Sequence, residues 1–155
     1  MQEIIIAHTS CLILLHKIEE FDLLQKLFGY ITITSEIEKE FGQILPDWVI
    51  VKNASNQNII RASVDIGEAS AIALALEESN PLLILDGLKA RKLASNLNLH
   101  YTGTLGVLVD AKLSGHLISI KPVIAKIKLT NFHLPDELEQ KFYERQVKVI
   151  NNIAL

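Results

Sequence analysis

Cysteine is nearly absent: Cys11 is the only one in 155 residues. That excludes an internal disulfide and any zinc site built from clustered thiolates, and it suits a reducing compartment. Long apolar runs are missing too. No segment reaches the roughly 18 unbroken apolar residues of a membrane span, and Met1-Gln2-Glu3 lacks the basic start of a secretory signal. The expectation is a cytoplasmic protein with no membrane partner. Basic charge is not in excess. The net charge is -3, so any nucleic-acid contact must come from a local patch. A Walker lysine and a complete dinucleotide fingerprint are also lacking, so Thr102-Gly103-Thr104-Leu105-Gly106 carries little weight as a phosphate loop. No repeat, low-complexity tract or linker divides the chain.

What is present is aliphatic. Hydrophobic residues make up 49% and charged residues 21%, which excludes wholesale disorder and allows one domain with a sizeable core. Glu3 to Ala7, Tyr30 to Ile33, Trp48 to Val51, Leu82 to Leu85 and His100 to Thr102 are short apolar or β-branched runs that predict strands. Between them the spacing predicts helices. One follows His8, capped by Thr9 or Ser10, with Leu12, Ile13, Leu15 and Ile18 as its stripe; its periodicity continues through Phe21, Leu24 and Phe28 to Gly29. Others are expected after Thr34 or Ser35, over 67–78, 89–97 and 105–113, near Pro122, and over 135–149. Residues 53–58 are polar and predict a loop. Strands alternating with helices predict a βαβ architecture and a parallel sheet.

In such a sheet the carboxyl ends of the strands share one edge, where open α/β sheets bind ligands. His8 ends the first strand and Asp86 follows the fourth. Glu68 lies in the first turn of the Ala-rich helix, and Glu40 lies one turn after Glu36. Together they suit a hard cation, because Mg²⁺ and Mn²⁺ prefer oxygen ligands. Each also has a plainer reading. Glu68 complements a helix dipole, Asp86 caps the next helix, Glu36 and Glu40 are exposed helix residues, and His8 is a satisfied buried histidine. Lys89, Arg91 and Lys92 are phosphate contacts or simply an exposed basic face. Cys11, beside Ser10 and His8, reads as a buried thiol, not a nucleophile.

Taken together these segments resemble the PIN-domain family, and within it the subgroup similar to VapC-type toxins of toxin–antitoxin pairs. The resemblance rests on 8–13, 33–41, 67–75, 83–91 and 102–108, including Gly67-Glu68-Ala69-Ser70-Ala71-Ile72 and Leu85-Asp86-Gly87-Leu88-Lys89-Ala90-Arg91. It implies a three-layer α/β/α sandwich around a central, mostly parallel sheet. It implies one domain over 1–155, with 119–155 a C-terminal helical extension. By position it implies a metal-dependent ribonuclease with Glu40, Glu68 and Asp86 as catalytic and metal-holding acids, His8 as a divergent metal ligand, and Mg²⁺ or Mn²⁺ as cofactor. Ser10, Thr104, Lys89 and Arg91 are the candidate substrate contacts, with Thr102 or Thr104 beside the metal edge. The implied partners are RNA, a small cognate antitoxin and a second copy of the chain. Leu14, Ile18, Leu24 and Phe28 offer an aliphatic stripe that could exceed one core's needs. Two positions depart from the family pattern. His8 stands where the family has an aspartate, and Gly87 stands where the subgroup often carries a second acid. The alternative is therefore a catalytically degenerate PIN-like binding protein.

Overall fold

The computed structural model describes residues 3–56 and 64–132. The helix expected over 135–149 lies outside them. Five strands form one all-parallel sheet: β1 (Ile4–Ala7), β2 (Ile31–Ile33), β3 (Val49–Val51), β4 (Pro81–Ile84) and β5 (His100–Thr102). Their spatial order is β3-β2-β1-β4-β5. Order reverses between β1 and β4, so the topological switch lies beside the carboxyl ends of these two strands. Ala7 pairs with Ile84, and the His8 amide donates to the Ile84 carbonyl at 3.1 Å. His8 therefore sits at the mouth of the switch.

The strands are short, and the central ones are buried on both faces. Side chains alternate across a sheet, yet the consecutive residues Ile5, Ile6 and Ala7 are all buried, as are Ile31, Thr32 and Ile33. Both faces are therefore covered, giving the α/β/α layering. The covering helices are α1 (Thr9–Lys17), α2 (Leu23–Phe28), α3 (Ser35–Phe41), α4 (Ile66–Glu77), α5 (Leu88–Asn96), α6 (Thr104–Leu113) and α7 (Lys121–Lys128). Helices α1, α3, α4 and α5 adjoin in series, and α2 packs against α6. Pro122 stands in the first turn of α7, which sends Val123, Ile124 and Ile127 into the core.

Two local expectations fail. The helical periodicity from Leu12 to Phe28 belongs to two helices, not one. The chain turns between them with Glu19 in the left-handed region at φ 61. The turn closes on the Glu20 amide, which donates to the Leu15 carbonyl at 2.8 Å. It carries Phe21 into a stack on Phe41, with centroids 5.4 Å apart, and against Trp48. Aromatic packing outweighs helix continuation here. Second, α1 begins one residue earlier than expected. His8 occupies its N-cap position with no side-chain cap, because Thr9 and Ser10 direct their hydroxyls to acidic side chains. The aliphatic stripe is also accounted for: Leu14, Ile18 and Leu24 are buried within the chain's own core.

Candidate functional site

Three helices begin at the carboxyl edge and bring the acids there. Helix α3 starts at Thr34, whose hydroxyl accepts the Ile37 amide at 3.3 Å. The same hydroxyl lies 2.7 Å from that of Ser70, which donates to the Gly67 carbonyl at 2.7 Å. Thr34 and Ser70 are both buried. This chain of hydrogen bonds fixes the start of α3 against the first turn of α4, and with it the approach of Glu40 to Glu68. The Glu40 carboxylate accepts the Thr9 hydroxyl at 2.7 Å. It also lies against Gly67, where an added Cβ would fall 2.8 Å from its Oε1.

Helix α4 opens with a capping box. Asp65 accepts the Glu68 amide at 2.7 Å, and Glu68 reaches back to the Asp65 amide at 3.4 Å. Glu68 is buried, which pushes its carboxyl above the ordinary glutamate range. The neighbouring Asp65 charge adds to that rise, and His8 opposes it. The Glu68 carboxylate presses on Gly87, where a Cβ would sit 2.5 Å from Oε2. The missing side chain at Gly87 thus gives Glu68 its room.

Asp86 does not cap α5; Gly87 holds that position. The Asp86 carboxylate turns instead to the start of α6. It accepts the Thr104 amide at 2.8 Å and the Thr104 hydroxyl at 2.5 Å, and the Ser10 hydroxyl at 3.4 Å. Arg91 completes this end. Its Nε donates to the Leu85 carbonyl at 2.7 Å, its guanidinium lies over the Tyr101 ring at 5.4 Å, and its Nη2 is 4.0 Å from Asp86. Gly103 permits this, because a Cβ there would overlap Nη2. Lys89 is exposed one position into α5, while Arg91 is held by protein partners. Cys11 is fully buried, and burial first, then the Asp86 charge, raises its thiol far above the ordinary range. It is inert as a nucleophile.

His8 is also buried. Its Nδ1 lies 3.3 Å from the Ser10 hydroxyl, and its Nε2 lies 3.5 Å from Asp65 Oδ1 without forming a hydrogen bond. The structure thus links His8 through Ser10 to Asp86, and through Asp65 to Glu68. Glu40 joins through Thr9 and Gly67. Among the described residues no three His, Cys, Asp or Glu side chains close around a point that could hold a metal ion. The arrangement is an open edge and not a cage. Sequence reasoning gave no role at the site to Asp65 or Tyr101, and it read Thr9 only as a helix cap. Asp65 alone had a local signal, the D-x-x-E spacing of a capping box. Thr9 and Tyr101 take their roles from residues distant in the chain.

An all-parallel sheet covered on both faces, with acids at the carboxyl ends of its strands, defines an α/β/α sandwich with an acidic edge. More particularly, the PIN-domain family model matches residues 4–148, and the chain belongs to that family. No curated protein and no solved structure matches it. Among the described residues no helix is long and apolar enough to cross a membrane.

Proposed function

We propose that this protein is a divalent-metal-dependent endoribonuclease, acting as the toxin of a toxin–antitoxin pair and held in check by a small antitoxin. The observation that carries this reading is the packing of the acids. Glu40, Glu68 and Asp86 arrive from three separate segments at the β1/β4 switch, and Glu40 and Glu68 press on backbone at Gly67 and Gly87. The donor chemistry suits Mg²⁺ or Mn²⁺. Such ions commonly use one or two carboxylates, several waters and a substrate phosphate, so an open edge serves where a closed cage is lacking. Glu40, Glu68 and Asp86 would hold the ion, with His8 beside them. When bound, it would supply charge to a phosphodiester and lower the pKa of a bound water.

The chain's own residues do the positioning. Thr104 and Ser10 hold the Asp86 carboxylate, Thr9 holds Glu40, and the capping box holds Glu68. Lys89 is exposed beside Asp86 and free to meet a phosphate, while Arg91 acts through Leu85 and Asp86. Exposed Ile66 and Leu88 stand at the first positions of α4 and α5, flanking the Glu68–Gly87 contact. Apolar side chains beside an acidic edge offer contact area to a macromolecule such as RNA or the antitoxin. A homodimer is the expected assembly.

Cleavage of RNA by the purified protein with Mn²⁺, then Mg²⁺, tests this reading. Glu68→Gln and Asp86→Asn should each lower the rate by roughly a hundredfold; equal rates would sink it. The second reading, a degenerate binding module, is favoured by His8 and Gly87. It requires that the wild type be inactive and that His8→Asp with Gly87→Asp gain cleavage.

A further inference from the structure

The chain has a net charge of -3, yet residues 87–109 contain neither aspartate nor glutamate. This acid-free stretch includes α5 and β5, which adjoin. It carries Lys89, Arg91, Lys92 and His100, and all but Arg91 are exposed. Strand β5 is an edge of the sheet, and its Tyr101 is 37% exposed there. The Arg91 guanidinium lies over the Tyr101 ring at 5.4 Å from the centroid, within cation–π range. Both members of this pair are held. Arg91 Nε donates to the Leu85 carbonyl at 2.7 Å, and the Tyr101 hydroxyl meets Ser95 Oγ, one helical turn beyond Arg91, at 3.4 Å. The Arg91 side chain is still 33% exposed. A fixed plane of cation on ring therefore faces solvent in the one local patch whose charge suits a polyanion.

We propose that Arg91 and Tyr101 form a nucleobase-stacking platform, which takes a base of single-stranded RNA beside the acidic edge. The proposal rests on reading the protein as a ribonuclease, and it adds a base-binding subsite at Tyr101. Unpaired bases stack on aromatic rings and on guanidinium planes alike, and this pair offers both. Arg91 Nη2 lies 4.0 Å from Asp86 Oδ1, so a base on the pair belongs to a nucleotide next to the phosphate at Asp86. Exposed Lys89 and Lys92 on the same helix attract the neighbouring phosphates. Leu85 and Ser95 hold the pair in place before any ligand arrives, so little side-chain freedom is lost on binding. A base-paired strand keeps its faces stacked within the duplex and gains nothing from the platform.

The test is binding of a short fluorescent oligoadenylate to the full chain in metal-free buffer, read by anisotropy. The comparison ligand is an abasic ribose-phosphate oligomer of the same length and charge. The wild type should bind the oligoadenylate about tenfold more tightly than the abasic oligomer. Raising the salt should weaken both and leave their ratio unchanged. Tyr101→Leu keeps apolar bulk at the edge but has no ring, and should lose most of the preference. Tyr101→Phe should retain it, and Arg91→Lys should narrow it by a smaller factor. Thermal unfolding certifies the fold of each variant, and the wild-type ratio decides the matter even if Tyr101→Leu does not fold. Equal wild-type affinity for the two oligomers, binding of neither, or an unchanged preference in folded Tyr101→Leu overturns the proposal. Its failure is distinct from that of the nuclease reading. RNA cleavage with unaltered KM in Tyr101→Leu keeps the nuclease and removes the platform. Base-dependent binding that Tyr101→Leu abolishes, in a wild type that cuts no RNA, keeps the platform and removes the nuclease.

Discussion

The two ends of the carboxyl edge differ in how completely the protein satisfies them. At the Asp86 end both carboxylate oxygens accept hydrogen bonds from Thr104, Ser10 adds a third, and Arg91 ties the neighbouring backbone. At the His8 end a buried ring nitrogen has no hydrogen bond, and Glu68 sits in burial and like charge that disfavour its ionisation. The first end holds its geometry without help. The second carries unmet electrostatic demand, and unmet demand is where a ligand gains most. An open edge of this kind joins a preorganised anchor to a receptive flank.

Removing the anchor should have the largest effect. Asp86→Ala leaves the amide and hydroxyl of Thr104, a fully buried residue, without acceptors. Unpaired buried donors cost about 1–3 kcal/mol, and urea unfolding should show a loss toward the top of that range. His8→Gln should cost less, because it gives up only the 3.3 Å contact of Nδ1 with Ser10 and the 3.5 Å approach of Nε2 to the exposed Asp65. Equal losses would erase the contrast between the ends.

A smaller effect tests the support behind the anchor. Gly103→Ala puts a methyl into the Arg91 guanidinium and within 2.9 Å of Asp86 Oδ1. The guanidinium must move, giving up its bond to Leu85 and its place over Tyr101. Overpacking of this sort costs about 1–2 kcal/mol where a flexible side chain can yield. Most of that cost should vanish in an Arg91→Ala background, since neighbours that share one contact are non-additive. Additive losses would show that Gly103 matters for another reason. Arg91→Lys alone should cost about 1 kcal/mol, because an ammonium cannot both meet the Leu85 carbonyl and stack on a ring.

The same contrast explains what could be read from the sequence. The strands were legible because each is a compact apolar run, and Thr34 was legible as a cap because a hydroxyl residue precedes Ile37 by one turn. The acids were legible as helix-start or strand-end residues. Their partners were not. Asp86 meets Thr104 and Ser10 across long stretches of chain, so the local sequence suggested a cap for α5 where the fold makes an anchor for α6. The break at Glu19 was hidden because Phe21 keeps helical spacing while its ring answers to Phe41 and Trp48. Asp65 had a visible spacing to Glu68, but its approach to His8 depends on strand order, which no local pattern carries.

The smallest effect is a slope. Glu68 has its carboxyl raised above the ordinary value of 4.5, chiefly by burial and then by Asp65. Between the ordinary and the raised value the folded chain binds more protons than the unfolded chain, so stability falls as pH rises through that window. Below it both states are protonated and the penalty is absent; above it the full penalty is present. Glu68→Gln removes the titration while keeping a side chain that can close the capping box. In metal-free buffer the variant should match the wild type most closely in acid and gain on it as pH rises to neutrality. Subtracting the two urea midpoint curves cancels the titrating groups that do not interact with Glu68. A difference that grows with pH supports the crowded end of the edge, and a flat difference would mean that Glu68 is as well accommodated as Asp86.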